Sequence, residues 1–404
     1  MPSLELPGLL SATDLSRTVD TIAEWQEPSG MIPWFPQGHA DPWNHVEAAM
    51  ALLVGGRRAD AERAFEWLVA KQRDDGSWHN YYVGDRVEHD KLDANTIAYV
   101  ATGVWHHWLT TGDRGFVETM WPVIERAIDF VLDLQTPRGE IIWARHADGT
   151  PWTFALLTGS SSISHSLRCA IAIAELLGHE RFDWELSLGR LAQVIRAAPH
   201  DAFAPKNRWA MDWYYPVLTG VITGAGARER LAERFDTFVM AGKGIRCVGD
   251  RPWVTAAETC ECAMAHLAVG DRSTALELFM WAQQLRHPDG RYYTGMVYPE
   301  LVHFPDHERS TYTAAAVVLA ADALVSATPA ARLFTEHQPL PPIVLADDDF
   351  DFEDSRDCGP RPLHSYRWIS VAVYVPSPLS TAANTTGVPA TISAFVQAVS
   401  NRKY

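Results

Sequence analysis

Two glutamates raise the first chemical question. Glu258 and Glu261 stand three residues apart in Ala256-Ala257-Glu258-Thr259-Cys260-Glu261-Cys262-Ala263-Met264-Ala265, a segment with no other charge. On a helix, residues i and i+3 share a face. A buried carboxyl pair is costly unless it is partnered or used. One member can be held protonated by its neighbour, as a general acid requires. Asp41, Asp93 and Asp212 form a second group, each at the start of an apolar helical segment. An acid there also caps the helix and complements its dipole, so capping is the competing role for all three. The chemistry these residues suggest is hydrolysis of a glycosidic bond by one acid and one base, Asp93 or Asp41 acting with Glu258 or Glu261.

The surroundings suit a sugar, which presents apolar ring faces and a rim of hydroxyls. Candidate substrate-binding residues recur between helical segments. Trp34, Trp43 and His45 come first, then Trp78, Tyr82 and Asn95, then Trp143, Arg145 and His165. Asp212, Trp213 and Tyr214 follow, then Trp253, and last Tyr293 and His307. Any of these aromatics could instead plug the ends of a helical core.

The elements that must position them are helices. Periodicity and breakers predict twelve: 11–27, 46–53, 59–72, 92–109, 116–134, 164–177, 183–198, 215–223, 228–240, 256–269, 273–285 and 311–326. Amphipathic and more apolar segments alternate. A helix apolar all round is buried and an amphipathic one has a wet face. The simplest architecture is all-α, an (α/α)6 barrel over residues 1–330, with six apolar helices inside and six amphipathic ones outside. The loops entering the inner helices would then gather at one mouth. Beyond residue 330 the texture becomes Pro-rich and acidic, with the run Asp347 to Asp354. Residues 331–404 are expected to be an acidic, Pro-rich linker and an irregular or disordered tail.

An internal repeat runs through this pattern. Leu68-x3-Gln72-x3-Gly76-x-Trp78 has partial copies at Gln26–Gly30, Gln135–Gly139 and Arg286–Gly290. The repeat reads as a joint, with Gln or Arg satisfying helix-end carbonyls and Gly making the turn.

Two resemblances follow. Thr111-Gly112-Asp113-Arg114-Gly115-Phe116, Gly139-Glu140-Ile141-Ile142-Trp143 and the stretch from Glu258 to Gly290, with Ser310-Thr311-Tyr312-Thr313, look like the six-hairpin glycosidases, above all the glucoamylase-like branch. The resemblance spans roughly residues 90 to 325. It implies the barrel and activity on carbohydrate. The positions of that branch's two catalytic glutamates hold Ala144-Arg145 and Tyr292-Tyr293-Thr294 instead, so a hydrolase here must use other carboxylates. The repeat is also similar to the QW repeat of squalene cyclases and prenyltransferase-like toroids. That likeness keeps two alternatives open: an isoprenoid-processing enzyme, or a non-catalytic sugar- or lipid-binding barrel.

Composition excludes some partners. The net charge is −16 with no basic stripe, which argues against nucleic acid. No apolar run reaches 18 residues, so no membrane span is expected. The five cysteines form no regular framework. With no evident leader, this predicts reduced thiols and a cytoplasmic protein. Cys260-x-Cys262 reads as two small buried hydrophobes, and no metal or other cofactor is expected. The expected partner is a small-molecule glycan or glycolipid, with no protein partner inferred.

Overall fold

The computed structural model describes residues 4–337. Fourteen α-helices are present among them: α1 (Ala12–Trp25), α2 (Pro42–Val54), α3 (Arg58–Lys71), α4 (Ala94–Thr111), α5 (Arg114–Leu132), α6 (Leu157–Leu177), α7 (Phe182–Ala197), one-turn α8 (Pro199–Ala202), α9 (Ala210–Leu218), α10 (Gly224–Glu233), one-turn α11 (Phe235–Phe238), α12 (Ala256–Ala268), α13 (Arg272–Ala282) and α14 (Thr311–Val325). Helices α2, α4, α6, α9, α12 and α14 pack each against the next, and α14 packs back against α2. This closed ring is the inner layer. Every residue of α2 and of α9 is buried. Helices α1, α3, α5, α7, α10 and α13 lie outside it, and α1 buries only one face, through Leu15, Thr18, Val19, Thr21 and Ile22.

The protein is mostly helical but not wholly so, which corrects the all-α expectation. Strands β1 (Tyr81–Val83) and β2 (Arg86–His89) form a hairpin, and β3 (Leu92–Asp93) pairs with β4 (Ala144–Arg145). An antiparallel sheet follows: β5 (Val239–Met240), β6 (Gly244–Arg246), β7 (Trp253–Thr255), β8 (Tyr293–Val297) and β9 (Val302–Arg309). Most of these strands are too short to show an alternating pattern. Their task is aiming. β7 runs straight into α12, and β9 ends one residue before Ser310, the cap of α14. Thr259 Oγ1 accepts from Ile245 N at 2.9 Å, locking α12 to the sheet.

The repeat proves to be the fastening between successive outer helices. Gln72 Nε2 donates to Gly76 O at 3.0 Å and to Val123 O of α5 at 2.9 Å. Arg126 of α5 donates back to Gln72 Oε1 at 2.5 Å. Gln26 makes the same bonds to Gly30 and Asp60, and Gln135 to Gly139 and Ser187. The side chain thus bridges its own turn to the next hairpin, whereas the sequence suggested a cap on its own helix. At Gly76 the backbone has φ +87°, and a Cβ would lie 2.2 Å from Arg126 O, so only glycine fits. The last copy closes the outer layer: Arg286 donates to Asp14 Oδ1 at 2.9 Å, and Thr18 Oγ1 donates to Gly290 O at 2.8 Å.

Three of the six inner helices begin earlier than their apolar patterns suggest, whereas α12 and α14 begin where expected. α2 starts at Pro42 rather than 46, α6 at Leu157 rather than 164, and α9 at Ala210 rather than 215. Their first turns are polar and aromatic, which in sequence looks like loop. Residues 331–337 pack on the barrel: the Phe334 ring stacks on His165 at 4.7 Å, and His337 Nε2 meets Leu218 O at 2.9 Å. The acidic run and the rest of the expected tail lie outside the described residues.

Candidate active site

The starts of the inner helices carry Asp41, Asp93 and Glu258, on rigid backbone. Asp41 is the N-cap of α2. It accepts from Asn44 N at 3.0 Å, from Asn44 Nδ2 at 2.7 Å and from Trp34 Nε1 at 2.8 Å. Burial raises its pKa, and these N–H donors pull against the rise. Asp93 is the N-cap of α4, accepting from Asn95 N at 3.1 Å, with Lys91 Nζ 3.1 Å from Oδ2. Lys91 lies 4.0 Å over the Trp143 ring and also feels Asp41. Capping and a place in the site are therefore compatible, because the cap is where the helix meets the mouth.

Glu258 lies in the first turn of α12. The Thr255 hydroxyl and the Cys247 thiol both donate to it. Burial pushes its pKa up to about 8, so it carries a proton at neutral pH. Glu261, one turn deeper, accepts from the Tyr214 hydroxyl. Burial raises it well above the carboxylate range, and Glu258 and Glu47 add to the rise. Sequence reasoning placed Glu47 near the mouth but not among the candidate catalytic residues, although a lone charge in an apolar helix is the same signal that singled out Glu258. It accepts from Trp43 Nε1 at 2.9 Å and from the Tyr99 hydroxyl at 3.0 Å, and burial raises it strongly. Six residues past Asp41, it lies about 9 Å deeper along α2. The acids thus form two layers: Asp41, Asp93 and Glu258 at the rim, Glu47 and Glu261 below.

Among the described residues, five buried oxygens on these helices have no hydrogen-bond partner: Asn44 Oδ1, Glu47 Oε2, Asn95 Oδ1, Glu258 Oε1 and Glu261 Oε1. They come from α2, α4 and α12. Buried polar atoms find partners in protein, water or ligand, and these five all lie within the first two turns of their helices. Trp34 and Tyr312 link Asp41 to Glu258. Their rings meet at 4.8 Å, Trp34 bonds Asp41, and Tyr312 feels the charge of Glu258. Trp43 stacks on Tyr99 at 4.7 Å.

Other candidates serve the frame. His45 joins Ile32 N at 3.1 Å to Ala64 O at 2.8 Å and so ties α2 to α3. Trp78 Nε1 donates to Leu68 O, and Trp213 Nε1 to Arg230 O. The Tyr82 hydroxyl accepts from His79 N, and Arg145 pairs with Asp133 at 3.0 Å. His165 lies mid-helix against Phe334 and Leu333 O, far from the first turns. Their sequence signal, a polar or aromatic residue near an inner helix, does not separate site from frame. Asp212 accepts from Thr158 Oγ1 at 2.6 Å at the start of α9. Trp253 stacks on Phe304 at 4.5 Å and Tyr293 on His303 at 3.5 Å, with His303 Nδ1 3.1 Å from His307, all on the β7–β9 side. No group of three or more His, Cys, Asp or Glu has metal-binding spacing among the described residues.

The fold is shared with solved glycosidases. One, in complex with glucose, superposes with a TM-score of 0.62 at 14% identity, over 78% of this chain and 97% of that one. A GH63 mannosylglycerate hydrolase from Thermus thermophilus, also in complex with glucose, superposes at 0.56 and 12% identity, over 76% and 99%. A D-mannose isomerase superposes at 0.57 and 11% identity, over 80% of this chain and 100% of that one, so fold alone does not choose a reaction. No family model matches the chain. Sequence is more decisive. The MMP endo-(1,4)-3-O-methyl-α-D-mannosidase of Mycolicibacterium hassiacum is 52% identical over 329 residues, 81% of this chain and 91% of that one. The chain belongs to that enzyme's family, a glycosidase family. The similarity to prenyl-processing toroids gains no support from these relatives, and the joint that carried it is a fastening of the ring. No helix among the described residues is long and apolar enough to cross a membrane.

Proposed function

We propose that the protein is a glycoside hydrolase that cleaves internal α-mannosidic bonds of a 3-O-methylated (1,4)-linked mannan by inversion. Glu258 is the general acid and Asp41 the general base. The observation that carries this reading is Glu258 itself: a buried carboxyl, protonated at neutral pH, with one unpartnered oxygen beside aromatic walls. Asp41 suits the base because three N–H donors favour its ionised form. Asp93, already paired with Lys91, is better suited to orienting the sugar.

The roles assigned to Glu258 and Asp41 make the reaction an inversion, in which a water fits between carboxyls about 6.5–9.5 Å apart, whereas a retaining pair stands about 5–5.5 Å apart. In the reaction, Glu258 protonates the leaving glycosidic oxygen while Asp41 takes a proton from the attacking water. The 52% identity to an endo-mannosidase supports the substrate class. The test is incubation with 3-O-methyl-α-(1,4)-manno-oligosaccharides, followed by proton NMR of the fresh products. β-Configured reducing ends are expected. α-Configured ends refute the Glu258–Asp41 geometry, and no cleavage refutes the substrate assignment.

A further inference from the structure

A cavity opens one helix over from Glu258. It encloses about 190 Å³ where α9 meets the chain that follows α8, and α10 closes its far side. Phe203 and Trp213 supply apolar walls, and Lys206, Arg230 and Arg234 supply three cations. None of these cations pairs with a carboxylate within 4 Å among the described residues, in a chain whose net charge is −16. Both guanidiniums are instead held by uncharged groups. Arg230 donates to Trp213 O at 2.7 Å and to Asp212 O at 2.6 Å. Arg234 donates to Asn207 O and lies 4.7 Å over the Phe238 ring. Backbone carbonyls fix the orientation of an arginine without cancelling its charge, so little side-chain freedom remains to be lost on binding. The acid at the cavity, Asp212, is engaged by the Thr158 hydroxyl, and burial raises its pKa against the pull of Arg230 and Lys206. Glu233 is the other acid on the lining.

Asp212 and Glu233 offset part of the charge of Arg230, and three cations stand against these two acids on the lining; guanidiniums held in place beside an apolar wall suit a carboxylate on a short organic body, since the planar fork matches the planar anion. A dianionic phosphate fits less well next to Asp212 and Glu233. We propose that this cavity is a subsite for a carboxylate carried by the glycan, on its aglycone or as an acidic acyl substituent. The inference rests on glycoside hydrolysis at the adjoining mouth.

The experiment compares phenyl and 4-carboxyphenyl glycosides of a 3-O-methyl-α-(1,4)-manno-oligosaccharide, with wild type, Lys206→Ala and the double variant Lys206→Ala/Arg234→Met. In wild type the carboxylated substrate is expected to show a KM about tenfold lower, a preference that shrinks as salt rises. Lys206→Ala is expected to erase most of that preference while kcat on the neutral substrate stays unchanged, and the double variant to abolish it. Equal KM values for the two substrates in wild type, or an unchanged preference in the double variant, overturn the subsite. Saturation-transfer NMR with the 4-carboxyphenyl glycoside separates the two readings. Charge-dependent binding without turnover sustains the subsite and strikes the hydrolase assignment; turnover without charge preference does the reverse.

Discussion

Replacing Glu258 by Gln should make the protein more stable and nearly inactive, and the gain in stability should depend on pH. Glu258 is fully buried, and its pKa rises from 4.5 in an open chain to about 8 in the folded protein. Between those values the folded state keeps a proton that the unfolded state releases. Unfolding is therefore favoured as pH rises from 4.5 to 8, and the loss is complete above 8. Each pH unit in that window costs about 1.4 kcal/mol, so at pH 7 the carboxyl costs the fold about 3 kcal/mol relative to pH 4.5. Gln has the same shape, can accept from Thr255 as Glu258 does, and has no proton to lose. The advantage of Glu258→Gln over wild type should therefore be small near pH 5 and grow by roughly 1.4 kcal/mol per unit towards about pH 7.5. Urea denaturation of both proteins across that range measures it directly. A difference that does not change with pH would show that Glu258 is not held protonated, and the general-acid assignment would fall with it. The same variant should lose about 10²–10⁴ in kcat as the acid is removed. In wild type, activity should fall as pH rises through about 8, when Glu258 gives up its proton.

Asp41→Asn should also lower kcat by about 10²–10⁴, with KM little changed, because the amide keeps the cap but cannot accept a proton; a kcat within threefold of wild type would move the base to another residue. Asp93→Asn should act chiefly on KM, read from the same progress curves, since its carboxylate is paired with Lys91; a collapse of kcat with unchanged KM would exchange its role with that of Asp41. Gln72→Ala removes the bridge from Gly76 O to Val123 O and leaves two carbonyls without that donor. It should cost about 1–3 kcal/mol in denaturation without changing KM; an unchanged midpoint would mean that the fastening is redundant.

Much of the frame was legible along the chain. Alternating apolar and amphipathic helices appear as a 3.6-residue periodicity, a local property, and their order survives in the structure. The Gln–Gly joint was visible too, but its partner was not: Val123 O lies 51 residues from Gln72, and only closure of the layers brings them together. The strands that aim α12 and α14 are too short to carry a period of their own. The first turns of α2, α6 and α9 look like loops because polar and aromatic residues interrupt the apolar pattern there.

Burial and capping each leave a local mark on residue choice. That mark is enough to tell, from the chain alone, which carboxylates stand alone in apolar helices and which stand at helix starts. It is not enough to tell which of them share a space. Two residues on different helices have no fixed sequence separation, so which carboxylates share a space is decided only when six helices close into a ring. The same closure turns His45, Trp78 and His165, equally eligible on paper, toward the frame, and it raises the pKa of Glu258 by surrounding it with apolar wall. Chemistry at this site is a property of enclosure, and enclosure belongs to the ring and not to any stretch of chain.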